Sequence, residues 1–161
     1  MTAIIPATNA HSEGIWRIFR EVAAGGDTYV FDPETSREDA LRYWLSAGHH
    51  AFVVTDNGRV CGTYILRRNQ PGLGSHVANA SYMVSSEARG KGLGSLMCKH
   101  SLEQARRLGF AAMQFNMVVS TNQAAISVWK KHGFRIVGTL PKAFRHVKLG
   151  LVDAFVMHRF L

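Results

Sequence analysis

The chain has 161 residues, which fits a single domain able to bury roughly 70% of the surface that an unfolded chain exposes. Hydrophobic residues make up 47% and charged residues 19% of the sequence, a balance that excludes a largely disordered chain. With 19 basic and 11 acidic residues the formal charge is +8. This charge favours an anionic partner, but it does not choose among nucleic acid, an acidic membrane and a phosphorylated ligand.

The two cysteines, Cys61 and Cys98, form neither a disulfide framework nor a zinc knuckle, so a reducing compartment is expected. The segment Met1 to Pro6 lacks the basic region and the long apolar stretch of a signal peptide. No window approaches the ~18 apolar residues of a membrane span. We therefore predict a soluble, cytoplasmic protein with one domain over residues 1–161.

The first half of the sequence predicts a strand at Ile4 and Ile5 and a helix that Gly25 and Gly26 end. A second helix begins at Ser36, where Asp39 is a weak capping-box partner, and ends at Gly48. Three strands follow, at 51–54, 60–66 and 76–84, and the first two are joined by the hairpin signal Asp56-Asn57-Gly58-Arg59.

The second half predicts a helix from Gly92 to about Leu108, a strand at 112–119 and a helix at 122–131. Strands at 134–138 and 152–160 come last and are separated by a basic loop. The predicted order is β-α-α-β-β-β-α-β-α-β-β, which indicates a mixed sheet covered by helices.

The segment from Val84 to Ser95 places alternating glycines between a predicted strand and a predicted helix. Glycines let the main chain approach a ligand closely, and N–H groups at the start of a helix form an anion site. Arg89 and Lys91 add positive charge there. The segment matches neither the Walker pattern nor the dinucleotide fingerprint. For such a loop in isolation, a flexible turn is the preferred interpretation.

Two motifs make the interpretation more specific. Arg89 to Gly94 matches the pattern [QR]-x-x-G-x-[GA], and Asn122 to Phe134 matches N-x-x-A-x-x-x-[YW]-x-x-x-G-F. Both resemble signatures of the GNAT superfamily of acyl-CoA-dependent N-acetyltransferases, in the expected order and spacing. The opening Ile5 to Thr8 is also similar to the usual start of that family. The resemblance thus covers almost the whole chain.

The resemblance implies an α/β (α+β) fold with a mixed, mostly antiparallel sheet of six to seven strands and about four helices. The sheet is splayed between its fourth and fifth strands, and acetyl-CoA, the implied cosubstrate, binds in the gap. The resemblance assigns Met83 and Val84 to main-chain pairing with the pantetheine arm. The remaining implied cofactor-binding residues are Arg89, Gly90, Lys91, Gly92, Leu93, Gly94, Ser95, Asn122 and Trp129.

The implied reaction is direct attack of an amine on acetyl-CoA in a ternary complex, and the amine must first lose a proton. Many members of the family use a glutamate near the fourth strand as base, but His76 to Val84 contains no acidic residue. Asn116 and Tyr82 are the candidate catalytic residues that orient the amine or a water molecule, and a structural role explains each equally well. Trp129 replaces the family's usual tyrosine acid. A thiol of pKa ~8.5 makes that loss tolerable, because the thiolate lies only about 2 kcal/mol uphill at neutral pH.

The stretch from Asp27 to Glu34 lies where the family has its substrate loop. Carboxylates and aromatic rings there, at Asp27, Tyr29, Phe31 and Glu34, predict binding of a cationic amine. A solvated surface loop explains the stretch equally well. His49 and His50 lack partners at ligand spacing, so no metal site is expected.

The leading functional hypothesis is acetylation of a primary or secondary amine on a small or amino-acid-like molecule. Acetylation of a protein N-terminus or a lysine is one alternative. A non-catalytic acyl-CoA sensor is another, motivated by the missing glutamate and tyrosine. A basic nucleic-acid-binding module is the weakest alternative, because no recognised binding motif is present, so nucleic acid is not an expected partner. No membrane partner is expected either, since no apolar window is long enough to span one. By analogy with the family, the apolar stretch Val152 to Phe160 allows a homodimer.

Overall fold

The computed structural model describes residues 1–161 and contains seven strands and four helices. In chain order these are β1 (Thr2–Pro6), α1 (Ser12–Gly25), α2 (Arg37–Trp44), β2 (His50–Asp56), β3 (Arg59–Arg68), β4 (Val77–Val84), α3 (Leu93–Arg107), β5 (Ala112–Val119), α4 (Gln123–Lys131), β6 (Arg135–His146) and β7 (Gly150–Phe160). Single helical turns lie at residues 9–11, 72–74 and 86–88. The predicted order of helices and strands is confirmed.

All seven strands form one sheet in the order β1-β2-β3-β4-β5-β7-β6. Every neighbouring pair is antiparallel except β4 and β5, which run parallel. These two strands pair only where Val77 faces Ala112 and Ala78 faces Met113. Beyond that point they diverge, which confirms the predicted mixed sheet and the gap between its fourth and fifth strands.

A separate hydrophobic core lies on each face of the sheet. On one face α1 and α2 bury a cluster that includes Phe19, Trp44 and Met83. On the other face α3 and α4 bury a cluster that includes Tyr82 and Trp129. Burial of each large side chain stabilises the fold by about 1.5–3 kcal/mol. Because successive residues of β4 alternate between the faces, Tyr82 and Met83 belong to different cores.

Local sequence signals begin several of these elements. The Ser36 hydroxyl accepts a hydrogen bond from the Asp39 N–H (3.1 Å) at the start of α2, and the Asn122 side chain does the same for Ala125 (3.2 Å) at the start of α4. Such caps satisfy N–H groups that a helix leaves without partners. Asn57 and Gly58 both have positive φ, as a two-residue hairpin turn requires. None of the helices is long and apolar enough to cross a membrane.

The last hairpin differs from its prediction. Strand β6 continues to His146, through the segment that the sequence predicted to be a basic loop. Irregular pairing with β7 at residues 136–138 and 140–144 breaks the two-residue alternation that identifies a strand. Strand β6 is also the edge of the sheet, while β7 lies between β5 and β6. Edge-to-edge pairing would therefore use β6 rather than Val152 to Phe160, and the homodimer stays a prediction.

Candidate active site

The gap beside β4 exposes main-chain N–H and C=O groups that would otherwise form hydrogen bonds with a neighbouring strand. The Ser85 N–H donates to the Cys61 carbonyl of β3 (3.0 Å), and hydrogen-bonded pairs recur at every second residue of an antiparallel ladder. The main chain of Met83, which is in register with Thr63, therefore faces β3. The main chains of Tyr82 and Val84 face the gap.

The hydroxyl of Tyr29 fills part of this gap. It accepts a hydrogen bond from the Tyr82 N–H and donates one to the Tyr82 carbonyl, both at 2.7 Å. The Tyr29 ring stacks on Phe31, with centroids 5.8 Å apart, and Phe31 packs on Phe19 of α1 at 4.6 Å. Burial is the main cause that raises the pKa of Tyr29 well above its usual value. The hydroxyl is thus protonated at neutral pH.

A cavity of ≈ 420 Å³ lies in the gap between β4, β5 and the segment that joins α1 to α2. Its apolar wall is aromatic. Trp129 packs against Tyr82 with centroids 4.8 Å apart and against Phe115 at 4.9 Å, and Phe115 stacks on Phe134 at 4.3 Å. Offset aromatic packing of this kind makes the wall rigid as well as apolar.

Polar side chains in the cavity are amides, hydroxyls and one guanidinium. The Asn116 side chain accepts a hydrogen bond from the Gln114 amide (3.0 Å) and donates one to the Asn69 side chain (2.7 Å). Its amide thus connects β5 to the segment after β3. Asn79 donates to the Gln114 carbonyl across the mouth of the gap (2.9 Å). Arg67 is the cavity's single charged residue, and no carboxylate lines it.

The glycine segment before α3 carries a run of free N–H groups. From Gly90 to Ser95, six consecutive main-chain N–H groups have no acceptor within the protein. Gly92 is the N-cap of α3 with φ +79, and no side chain caps the helix. A Cβ added at Gly90, Gly92 or Gly94 would meet nothing within 4 Å. These N–H groups are therefore open to a ligand, and the helix dipole favours an anion.

Basic side chains lie beside these N–H groups. Arg89 and Lys91 are exposed, and no carboxylate lies within 4.0 Å of either. The Ser95 hydroxyl bonds to Nε2 of His132 at the end of α4 (2.8 Å). Burial and then the charge of Lys131 lower the pKa of His132. Neutral pH therefore leaves His132 uncharged, and the positive charge comes from the free arginine and lysine.

Several predicted site residues lie together in this region. Tyr29, Phe31, Asn116, Asn122 and Trp129 all line the cavity in the gap. Val84 presents its main chain to the same gap, and the chain runs from Val84 through one helical turn into the glycine segment. The structure thus brings these five residues and the main chain of Val84 to the gap between β4 and β5.

Three expectations are corrected. The main chain of Met83 pairs with β3, and its side chain is only 2% exposed in the core, so it is not available to a ligand in the gap. The Tyr82 hydroxyl bonds to Ser101 beneath α3 (2.7 Å), away from the cavity, so it does not orient an amine there. Asp27 and Glu34 do not line the cavity, unlike Tyr29 and Phe31.

Sequence reasoning missed Arg67 and Tyr43, which also line the cavity. A signal for Arg67 was present. The side chains of Thr63 and Ile65 lie in the core on the side of α1 and α2, and the next residue on that face of β3 is Arg67. A charged residue that continues an otherwise buried face of a strand is unusual and indicates a special role.

Comparison with known proteins agrees with this geometry. Residues 15–134, more than half of the chain, match the model of the acetyltransferase (GNAT) family. The chain belongs to this family. The description of that family is of acetyltransferases.

Solved structures of other GNAT proteins show the same fold over the whole chain. A GCN5-related N-acetyltransferase from Kribbella flavida is 41% identical, with a TM-score of 0.96 over 99% of this chain and 98% of that one. A GNAT superfamily phosphinothricin acetyltransferase from Sinorhizobium meliloti, solved in complex with AcCoA, is 25% identical. Its TM-score is 0.87 over 99% of this chain and 88% of that one.

Among curated proteins, N-acetyltransferase aca1 of Schizosaccharomyces pombe is 34% identical over 96 residues, or 59% of this chain. The match spans 46% of the length of aca1. A second curated relative, Protein SPT10 of Saccharomyces cerevisiae, is matched over only 13% of its length. The GNAT chain described here therefore spans about half, or less, of these relatives.

Proposed function

We propose that this GNAT protein transfers the acetyl group of acetyl-CoA to an amine of a small molecule by direct attack within a ternary complex. The observation that carries the proposal is the run of six partnerless N–H groups from Gly90 to Ser95. One helical turn separates this run from the strand that borders the gap. A pyrophosphate is the natural occupant of such a helix start, since it accepts several N–H bonds and its charge complements the dipole.

The residues present fit acetyl-CoA. The open space above the glycines admits phosphate oxygens close to the main chain, and Arg89 and Lys91 supply charge that no carboxylate neutralises. The amide groups of a pantetheine arm can form hydrogen bonds with the main chain of Tyr82 and Val84, because no neighbouring strand pairs with these residues on the side of the gap. The aromatic wall at Trp129 and Phe115 supplies an apolar surface. When bound, acetyl-CoA supplies an acetyl group activated as a thioester.

Main-chain geometry provides a donor for the acyl oxygen. Negative charge develops on that oxygen when an amine attacks, and a fixed N–H group stabilises it in a dry site. The Tyr82 N–H points into the gap beside the cavity, so we assign it this role. The Tyr29 hydroxyl accepts from the same N–H in the free protein and must move aside.

Proton transfer in this site relies on water. The cavity contains no carboxylate and no histidine, so the amine loses its proton to solvent rather than to a side chain. Asn116 lines the cavity with its amide already held by Gln114 and Asn69, which suits it to position a water molecule or the amine. Trp129 is an apolar wall and donates no proton to the thiolate.

Calorimetric titration with acetyl-CoA, followed by measurement of thiol release with a panel of primary and secondary amines, tests the proposal. We expect saturable binding and release of thiol with at least one amine. Binding without thiol release from any amine would leave the protein as an acyl-CoA sensor. An absence of binding would contradict the proposal.

A further inference from the structure

Arg67 carries a positive charge that no carboxylate of the protein neutralises. Its Nε atom is buried and has no hydrogen-bond partner, and no carboxylate lies within 4.0 Å of its guanidinium. The ring of Tyr43 lies beside the guanidinium, with its centroid 6.0 Å from Cζ. Arg67 as a whole is half-buried, and an N–H group that is buried without a partner costs stability. The guanidinium is therefore available to a ligand that accepts hydrogen bonds.

The position of Arg67 links two cavities. It lines the ≈ 420 Å³ cavity in the gap and also a larger one of ≈ 940 Å³ at the ends of β3 and β4. It is in register with Asn79 of β4, whose side chain lines the cavity in the gap as well. Asn79 lies three residues from Tyr82, about 10 Å along an extended strand. A small molecule and the arginine side chain can span that distance together.

The charges around Arg67 are all of one sign. The larger cavity is lined by Arg68 and by the histidines His49, His50 and His76, and no acidic residue lines either cavity. Burial and then the charge of Arg67 lower the pKa of His49, so His49 is uncharged at pH 7. Arg67 is thus the one charged side chain that lines the cavity in the gap, and Arg68 adds positive charge only to the larger cavity.

We propose that the acceptor amine also carries a carboxylate, as a free amino acid does, and that Arg67 binds this carboxylate as a specificity-determining residue. The inference rests on the proposed acetyl transfer and names its substrate class. A single arginine matches a carboxylate, because its planar fork donates two parallel hydrogen bonds and neutralises one charge. The absence of carboxylates from the site disfavours polyamines and other dications. The expectation of a cationic acceptor held by Asp27 and Glu34 is thereby replaced.

The first test compares acceptors that differ only in the carboxylate. Thiol release from acetyl-CoA is measured with the twenty protein amino acids and with the corresponding amino acid amides. We expect kcat/KM for at least one acid to exceed that of its amide by roughly 10- to 100-fold, the range for a lost charged hydrogen bond. Amides used as well as their acids across the whole set would overturn the proposal. Thiol release with amines that lack an acidic group, but with none of the amino acids, would overturn it too.

The second test uses variants with a matched control. Arg67→Gln removes the charge, and Arg68→Gln removes the charge of the exposed neighbour in the same strand, which does not line the cavity in the gap. We expect Arg67→Gln to abolish the preference for acids over amides through a raised KM, and Arg68→Gln to keep it. Arg67→Lys keeps the charge without the fork, so we expect it to keep part of the preference. Retention of the full preference in Arg67→Gln would contradict the assignment.

A binding measurement separates failure of this inference from failure of the proposed function. The Tm of the protein saturated with CoA is measured with each acid and each amide, which needs no turnover. We expect the preferred acid to raise Tm in the wild type and in Arg68→Gln but not in Arg67→Gln. If acetyl-CoA binds and other amines release thiol, but no acid raises Tm, the carboxylate proposal fails while acetyl transfer stands.

Discussion

The Tyr29 hydroxyl lies 2.7 Å from both the amide nitrogen and the carbonyl oxygen of Tyr82. It therefore replaces, with one side-chain group, the two hydrogen bonds that a neighbouring strand would make at this residue of β4. Buried main-chain groups are nearly always paired, so this contact explains how the sheet remains open there without unsatisfied groups. It also means that a ligand pairing with Tyr82 must displace Tyr29.

Tyr29→Phe tests this competition. Because the variant has no hydroxyl to displace from the Tyr82 N–H, we expect its Kd for acetyl-CoA, measured by calorimetry, to fall several-fold. The free protein should lose about 1–2 kcal/mol of unfolding free energy, because two main-chain groups lose their partner. Weaker binding of acetyl-CoA in the variant would instead mean that the Tyr29 hydroxyl contacts the cosubstrate.

Gly92→Asp and Gly92→Asn test the anion site. The two side chains have the same shape, both cap helices well, and both meet open space at this position. Only the aspartate adds a negative charge beside the free N–H groups. We expect Gly92→Asn to bind acetyl-CoA within a few-fold of wild type and Gly92→Asp to bind at least about 10-fold more weakly.

Equal affinities in these two folded variants would place the pyrophosphate elsewhere. Loss of binding in both would mean that the strain of a side chain at φ +79, rather than charge, disrupts the segment. Melting curves of both variants provide the control for folding.

Trp129→Tyr tests whether the missing acid matters. The variant restores a hydroxyl at the position of the family's usual tyrosine. Because the leaving thiolate is only about 2 kcal/mol uphill at neutral pH, we expect kcat to change by less than about threefold. An increase of about 10-fold or more would show that protonation of the thiolate limits the wild-type enzyme.

Three histidines should make the protein sensitive to acid. Burial is the main cause that lowers the pKa of His49, His100 and His132 below the ordinary histidine value of 6.5. The unfolded chain therefore takes up protons near pH 6.5 that the folded chain does not. Stability present above that pH is lost progressively as the pH falls towards the folded-state pKa values.

His100→Gln checks the sign of this effect. We expect the difference in Tm between about pH 7.5 and about pH 5.5 to be smaller in this variant than in wild type, since one of the three groups is gone. His50→Gln, which changes an exposed histidine, serves as the control and should keep the wild-type difference. An unchanged difference in His100→Gln would contradict the assignment.

Elements with strong local signals were predictable from sequence. The hairpin at Asn57 and Gly58, the cap at Ser36 and strand β5 all follow from short-range patterns. Strand β6 was predicted too short, because its bulges and its exposed edge position obscure the alternation. The glycine segment was identifiable because glycine spacing and two signatures coincide.

Other features of the site depend on contacts between distant parts of the chain. Whether Tyr82 turns its main chain or its hydroxyl towards the cavity follows from the register of β4 on β3, which no local pattern determines. The contact between Tyr29 and Tyr82 joins residues 53 apart in the sequence. The sequence marks Arg67 only as a charge that continues a mostly buried face of β3, and its buried Nε without a partner is visible only in the structure.

A crystal structure of the protein with acetyl-CoA is the most direct test of the central claim. We predict pyrophosphate oxygens within hydrogen-bond distance of the N–H groups between Gly90 and Ser95, with the thioester beside Tyr82 and the Tyr29 hydroxyl displaced. A complex in which these N–H groups have no phosphate partner, or in which the pantetheine arm lies outside the gap between β4 and β5, would contradict the account.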